Sequence, residues 1–261
     1  PSNVMEINLV NVYRPRAYVQ EDKLRYDYSA YTHDLKNCLI PLEIIYRNGL
    51  PEGSSIFKRL EQGSVTLEEL GFDHYPKAGE KLAKPIFDVS TKLEEGDRYV
   101  SWAEAQRIAG LTENELSEVK RMLSKVDDTI TQIASRAGLV NEDGKIELAF
   151  DPQRRLMVVD VVGTLDECRF TYNGLHVSKE IARQYYKKTE WYEDVEEAKK
   201  KAKEQGVEDW KKLVKTRPPK LGAALQRNVI QMYLATANEL TARHLFDAPK
   251  LVDAVEEYER R

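Results

Sequence analysis

Scarcity sets the first limits. The chain of 261 residues holds two cysteines, Cys38 and Cys168, too few for a disulfide framework or a four-thiolate zinc site, so the expected setting is reducing and cytoplasmic. Its four histidines, His33, His74, His176 and His244, show no metal-ligand spacing. It has no excess of positive charge: 40 Lys+Arg stand against 44 Asp+Glu, a net charge of −4. No global field is therefore available to hold a nucleic-acid backbone or an anionic bilayer, and any anionic ligand must be small and locally bound. No apolar run approaches the ~20 residues that span a bilayer, and Pro1-Ser2-Asn3-Val4-Met5 has neither a basic nor a leader-like apolar region. These absences exclude a membrane-spanning helix and argue against secretion. What is present, 41% hydrophobic residues, is enough for the core of one large domain or two small ones.

Hydropathy patterning divides the chain. Val4–Tyr13 and Cys38–Arg47 are β-prone and read as strands, joined by a polar, tyrosine-rich connection over 13–39. After Asn48-Gly49-Leu50-Pro51-Glu52-Gly53-Ser54-Ser55, a turn, a short helix is expected near Ile56–Glu61; 71–84 reads as loop and Pro85–Lys92 as a third strand. Ser101-Trp-Ala-Glu104 and Thr112-Glu-Asn-Glu115 have capping-box spacing. The second opens a long helix whose apolar residues, Leu116, Val119, Leu123, Val126, Ile130 and Ile133, recur at intervals of three and four, with Gly138 placed to stop it. Lys145–Phe150, the turn Asp151–Arg155 and Leu156–Val162 form a predicted β-hairpin, and helices are expected near 178–188, 193–205, 220–245 and 248–260.

Asp160 is the sharpest anomaly, a carboxylate inside the run Leu156-Met-Val-Val-Asp-Val-Val162 that is apolar on both faces and so reads as a central strand. Burying it requires a partner or a metal. Alternation places Lys145 and Glu147 on one face of the preceding strand and Ile146 and Leu148 on the other, so two acids and a lysine can converge. Such a trio suits a Mg²⁺ site shared with phosphates; a structural Lys–Asp pair accounts for the same residues. Arg47 beside Gly53-Ser54-Ser55 suits a phosphate, or else is a surface residue beside an ordinary N-cap. Asp166-Glu-Cys-Arg169 follows the Asp160 strand within one loop, where ligands commonly sit.

Taken together, these residues resemble the SAICAR synthetase family, the phosphoribosylaminoimidazole-succinocarboxamide synthases. The family's Pro-x-Glu-(apolar)₃-Arg-Asn, Gly-Ser and Lys-Arg are matched by Pro41-Leu-Glu43-Ile-Ile-Tyr-Arg47-Asn48, Gly53-Ser54-Ser55 and Lys58-Arg59. A strand ending in Lys shortly before an Asp is echoed by Lys92 and Asp97. Asp-Phe-Lys-x-Glu resembles Asp143-Gly-Lys145-Ile-Glu147. The signature Asp-Glu-Val-(x)₂-Pro-Asp-(x)₂-Arg-Phe resembles Asp160-Val-Val-Gly-Thr-Leu-Asp166-Glu-Cys-Arg169-Phe170, and Asp-Lys-(x)₃-Arg resembles Ser178-Lys179-(x)₃-Arg183. Val161 and Leu165 replace the signature's second acid and its proline.

The resemblance implies an α+β, two-lobed, ATP-grasp-like fold with a mixed or antiparallel sheet flanked by helices. Residues 1–40 would be the hinge strand and connection from an N-terminal ATP lobe whose Gly-Lys-x-Lys loop has no match from Val4 onward, so that this lobe either is a separate upstream piece or is one this homologue does without. Residues 41–261 would be the substrate and Mg-ATP domain with a helical C-terminal part. The implied reaction joins L-aspartate to carboxyaminoimidazole ribonucleotide with ATP and Mg²⁺, in a homo-oligomer. Lys145, Glu147 and Asp160 would be catalytic, with Glu147 and Asp160 on the metal. Arg47, Ser54, Ser55, Lys92, Asp97, Asp143, Asp166, Arg169, Lys179 and Arg183 would hold substrates. A nucleotide-binding homologue without catalysis, or a carboxylate–amine ligase for another substrate, would keep many of the same residues.

Overall fold

The computed structural model describes residues 6–21 and 23–260. Its main sheet is antiparallel throughout. Strands β3 (Cys38–Leu50), β4 (Glu80–Thr91), β5 (Val140–Phe150), β7 (Cys168–Tyr172) and β8 (Leu175–His176) lie in the order β4-β3-β5-β7-β8, and β6 (Leu156–Val159) also pairs with β5. β6 and β7 share one edge of β5: β7 takes its first half, from Val140 to Gly144, and β6 its last residues, from Glu147 to Phe150. The segment 160–167 passes through the gap between them, where the Lys145 amide donates to the Glu167 carbonyl at 3.1 Å.

Alternation decides what each face of this sheet becomes. Ile44 and Tyr46 of β3, Ile146 and Leu148 of β5, Val89 of β4 and Phe170 of β7 join one buried apolar cluster. Over it pack α3 (Trp102–Ile108) and α4 (Glu113–Arg136), the latter through Val119, Leu123, Ile130 and Ala134. The Thr112 box is complete; the Ser101 box is half formed, because Ser101 accepts from the Glu104 amide while Glu104 turns to Arg98. The remaining helices are α1 (Ser55–Glu61), α2 (Leu67–Leu70), α5 (Glu180–Tyr186), α6 (Glu190–Gln205), α7 (Ala223–Thr241) and α8 (Leu251–Glu259), with a short 3-10 turn at Trp210–Leu213. The α+β class and the helical C-terminal part expected from the sequence are present.

Four expectations need correction. The expected strand over Val4–Tyr13 is reduced to a single parallel bridge from Asn11 to Cys38; Ile7, Leu9 and Val12 are exposed, since β-prone residues make a strand only where an edge is free to pair, and Val4 and Met5 lie outside the described residues. Within the supposed connection, β1 (Arg16–Gln20) and β2 (Lys23–Asp27) pair as a hairpin. β4 begins at Glu80 rather than Pro85 and accommodates that proline because it is an edge strand. Finally, Asp160 is not in a central strand. β6 ends at Val159, pairs only with β5 among the described residues, and leaves Val158, Val161 and Val162 exposed; Asp160 itself is exposed in a left-handed turn at φ 61°, a conformation that aspartate tolerates better than most residues.

Candidate active site

The face of the sheet turned away from the helices of the core is charged. Register places Glu43 opposite Glu147, Ile45 opposite Lys145, Arg47 opposite Asp143, and Asp143 opposite Arg169. On the other side of β3, Glu43 meets Ser90 and Ile45 meets Asp88. Period-two alternation on three neighbouring strands thus converts sequence-distant charges into two clusters.

The first cluster surrounds Glu43 and Glu147. Lys92, just past β4, donates to Glu147 at 2.5 Å and to Glu43 at 3.3 Å, and Lys145 donates to Glu43 with Glu167 3.5 Å away. Burial opposes the Lys92 charge, but the two carboxylates outweigh it and push the amine up to about 12. Burial also raises the Glu147 carboxyl, against the effect of Lys92, and the Asp160 charge adds to the rise. Val159 is the register partner of Glu147, so Asp160 follows one residue beyond it, solvent-exposed rather than buried.

The second cluster is built on Arg47, which is only 2% exposed. Asp143 accepts from Arg169 Nε at 2.8 Å and Nη2 at 2.6 Å, and from Arg47 at 3.4 Å. Arg47 also reaches Asp88 at 3.4 Å, and Ser55 and Tyr99 at 3.1 Å each; the Ser55 hydroxyl donates to Tyr99 at 2.8 Å. Arg59 pairs with Asp88 and lies over the Tyr99 ring. Several donors here are unmet among the described residues: the Ser54 hydroxyl and the Nε atoms of Arg47 and Arg59 are buried without a partner. Unsatisfied buried donors are costly, so these three remain available to an acceptor that the described residues do not supply. The surface alternative for Arg47 is excluded.

A cleft lined by Glu43, Arg47, Asp143, Lys145 and Arg169 joins the clusters, with Asp97, Tyr99, Asp166, Lys179 and Arg183 at its walls. Asp166 accepts from Tyr233 of α7 at 3.0 Å, and Arg183 stands 3.6 Å from Glu180. Lys179 has no side-chain partner among the described residues; burial, with Arg183 beside it, pulls its amine below the ordinary lysine value. Of the site residues expected from sequence, Arg47, Asp97, Asp143, Lys145, Asp166, Arg169, Lys179 and Arg183 line the cleft, and Ser55, Lys92 and Glu147 connect to it through hydrogen bonds; Ser54 and Asp160 are not in its lining, and Asp143 is already engaged by two arginines. Glu43, Arg59, Asp88, Tyr99 and Glu167 were not foreseen as site residues. Glu43 and Asp88 carried a usable signal, since Glu43 alternates with Arg47 and Asp88 with Ser90 and Lys92; Tyr99 carried none.

A family model described as SAICAR synthetase matches residues 27–205. A protein of Archaeoglobus fulgidus, provisionally named a phosphoribosylaminoimidazole-succinocarboxamide synthase, is 47% identical over 253 residues, covering 97% of this chain and 72% of its own length. The chain belongs to the SAICAR synthetase family. A Thermoplasma acidophilum synthase is 38% identical over 168 residues, 62% of this chain and 56% of that protein. The chain therefore spans between about half and three quarters of the length of these relatives. Among solved structures, SAICAR-synthase from Saccharomyces cerevisiae, complexed with SAICAR, superposes with a TM-score of 0.58 at 20% identity, covering 86% of this chain and 64% of that one. At that identity the likeness establishes a shared SAICAR synthetase-like fold.

Proposed function

We propose that the whole protein is the ATP-dependent ligase of de novo purine biosynthesis that joins L-aspartate to carboxyaminoimidazole ribonucleotide, and that this chain supplies its substrate face. One observation carries the reading: an acid–lysine cluster and an arginine–serine cluster share one face of β3 and β5, about 13 Å apart along the strand from Glu43 to Arg47. A ligand with a phosphate at one end and a reacting carboxylate at the other fits such a pair of clusters. Family membership supports the same reaction.

In this reading Arg47, Ser54, Ser55 and Arg169 seat the ribonucleotide phosphate, with Asp143 bridging the two guanidiniums. Lys92 and Lys145 face the carboxylate on which phosphate is transferred. Their positive charge is retained near neutral pH and offsets the charge on the oxygens of the transferred group. Transfer makes an acyl phosphate and ADP; the aspartate amine then attacks the acyl carbon and phosphate departs. Lys179, Arg183, Asp97 and Asp166 at the cleft walls orient aspartate and ribonucleotide for that attack.

Among the described residues no group of three or more His, Cys, Asp or Glu side chains is arranged to hold a metal. Two carboxylates nevertheless suit Mg²⁺, which takes few protein ligands and keeps waters and substrate phosphates. Glu147 and Asp160 are hard-oxygen donors, the first on β5 opposite Val159 and the second one residue past Val159, and they would hold it. Bound there, Mg²⁺ would neutralise charge on the ATP phosphates.

The test is product formation with ATP, Mg²⁺, L-aspartate and carboxyaminoimidazole ribonucleotide, run on the 261-residue chain and on one extended upstream by the expected lobe. Ligation that needs all four reagents in the extended protein is the expected result, with the shorter chain much slower because fixing the ATP phosphates is part of the catalysis. No product from either protein would sink the assignment and favour a nucleotide-binding homologue or another acceptor.

A further inference from the structure

Behind the arginine–serine cluster, on the side of the sheet that faces α4, lies a buried polar network that the proposed chemistry does not use. Its centre is Asp127 of α4, only 2% exposed. The Asp127 carboxylate accepts from Asn48 at 2.7 Å, from Thr131 at 3.2 Å and from Asn141 at 3.3 Å. Asn141, also buried, donates to the Thr131 hydroxyl at 2.9 Å and accepts from the Tyr46 hydroxyl at 3.2 Å. A Cβ at Gly144 would collide with that hydroxyl, so the glycine leaves the room that Tyr46 needs. Hydrogen-bonded networks of this kind fix one arrangement of the chain around them, because any departure leaves a buried polar atom unpaired.

The network meets the sheet where its register breaks. Asn141 pairs with Phe170 and Asp143 with Arg169, so two steps along β5 answer one step along β7, and Glu142 is the extra residue. Residues two apart on a regular strand share a face. Here the bulge turns Asn141 towards α4 and Asp143 towards Arg47 and Arg169. The Asn141 carbonyl, at the bulge, accepts from the side chain of Asn48 at 3.2 Å, and Asn48 follows Arg47 directly. One side-chain amide thus ties the strand of Arg47, the β5 bulge and α4 together. None of Asn48, Asp127 and Asn141 lines the cleft.

We propose that Asn48, Asp127 and Asn141 are positioning residues: from behind the sheet they hold the bulge that sets Asp143 between Arg47 and Arg169, and so keep the anion-binding cluster in register. The inference rests on the proposed function in taking the ribonucleotide phosphate as the ligand of that cluster. A misplacement of about 1 Å, caused by a change far from the reacting atoms, is enough to impair an enzyme strongly.

Steady-state kinetics of the whole protein test it, with the ribonucleotide and ATP varied in turn while the other substrates are saturating. Asp127→Ala should raise the KM for the ribonucleotide about tenfold or more and move the KM for ATP by less than about twofold. Asp127→Asn keeps the shared acceptor oxygen and should bring the ribonucleotide KM back near that of the parent. Leu123→Ala, one turn earlier on α4 and fully buried, is the control for lost stability alone; it should unfold more easily and leave both KM values unchanged. If Asp127→Ala does not fold, Asn48→Ala, at a half-buried position, removes the donor to both Asp127 and Asn141 and carries the same expectation. An unchanged ribonucleotide KM in the folded alanine variant, an equal rise in Leu123→Ala, or no recovery in Asp127→Asn would overturn the proposal. Should the parent form no product, the proposed function fails, and the positioning role is read instead from a crystal structure of the alanine variant: Asp143 still bridging Arg47 and Arg169 would overturn it, and a displaced Asp143 would bear it out.

Discussion

The two faces of β3 and β5 are built from the same strands, residue by residue in alternation, and have opposite physics. One face presents Ile44, Tyr46, Ile146 and Leu148 to the helices and is closed to water. The other presents Glu43, Arg47, Asp143, Lys145 and Glu147, each charged and each engaged by an opposite charge. The apolar face is stabilised by area removed from water. The charged face cannot be explained that way, because a desolvated ion pair at best offsets its own desolvation. On the proposed function the charged face serves binding, and the stability of the fold resides in the apolar one. A one-residue slip in the register of β5 would exchange the two faces, so the bulges in the β3–β5 and β5–β7 pairings matter to the site as much as to the sheet.

Substitutions that separate stability from chemistry test this division. The largest effect should come from Phe170→Ala, which empties a fully buried position on the apolar face. A loss of about 3–5 kcal/mol in urea unfolding is expected, with ligase activity per folded molecule unchanged in the whole protein. On the charged side, Asp160→Asn should lower Mg²⁺-dependent turnover by about 10²–10³-fold while leaving the unfolding midpoint near that of the parent, since Asp160 is exposed. Undiminished turnover would show that the metal is held elsewhere. Asp143→Asn should blur the comparison deliberately. It keeps a hydrogen-bond acceptor but removes the charge between two guanidiniums, one of them fully buried, so both a stability loss of about 2 kcal/mol and a raised KM for the ribonucleotide are expected. A change in only one of the two would mean that Asp143 belongs to one face's role alone.

How much of this was legible in the sequence follows from how local each signal is. The capping box at Thr112, the i, i+3, i+4 spacing of α4 and the alternation of Lys145 and Glu147 are set within a few residues, and all three are found in the structure. The β1–β2 hairpin escaped notice because its turn lacks a glycine or asparagine; Glu21 takes the left-handed conformation instead, at φ 51°. Asp160 misled for a different reason. An apolar run reads alike whether it is flanked by two strands or one, and pairing partners lie far along the chain. Tyr99 enters the site only because the loop before α3 folds back over Arg47, a tertiary fact with no local pattern. Residues that fell inside a motif were readable whether they lie in the sheet, as Lys145 and Glu147 do, or outside it, as Ser55 and Asp166 do; Tyr99, outside any motif, was not.

The smallest effect concerns a carboxylate that lies on the wrong face by this scheme. Asp127 of α4 is buried against the apolar side, where its carboxylate accepts from Asn48 at 2.7 Å, Thr131 at 3.2 Å and Asn141 at 3.3 Å. Burial raises its pKa despite those hydrogen bonds. A raised carboxyl favours the folded state while it is protonated. That contribution is fully present below the unfolded value of 3.8 and is lost as pH rises through the higher folded value. Asp127→Asn cannot ionise, so the stability of the parent relative to this variant should fall with rising pH through the acid range and then level off. The slope should not exceed about 1.4 kcal/mol per pH unit, the limit for one proton. Urea unfolding of the pair at successive pH values measures it. A difference that is flat, or that grows with pH, would mean the three hydrogen bonds outweigh desolvation and that the apolar face accommodates this charge without cost.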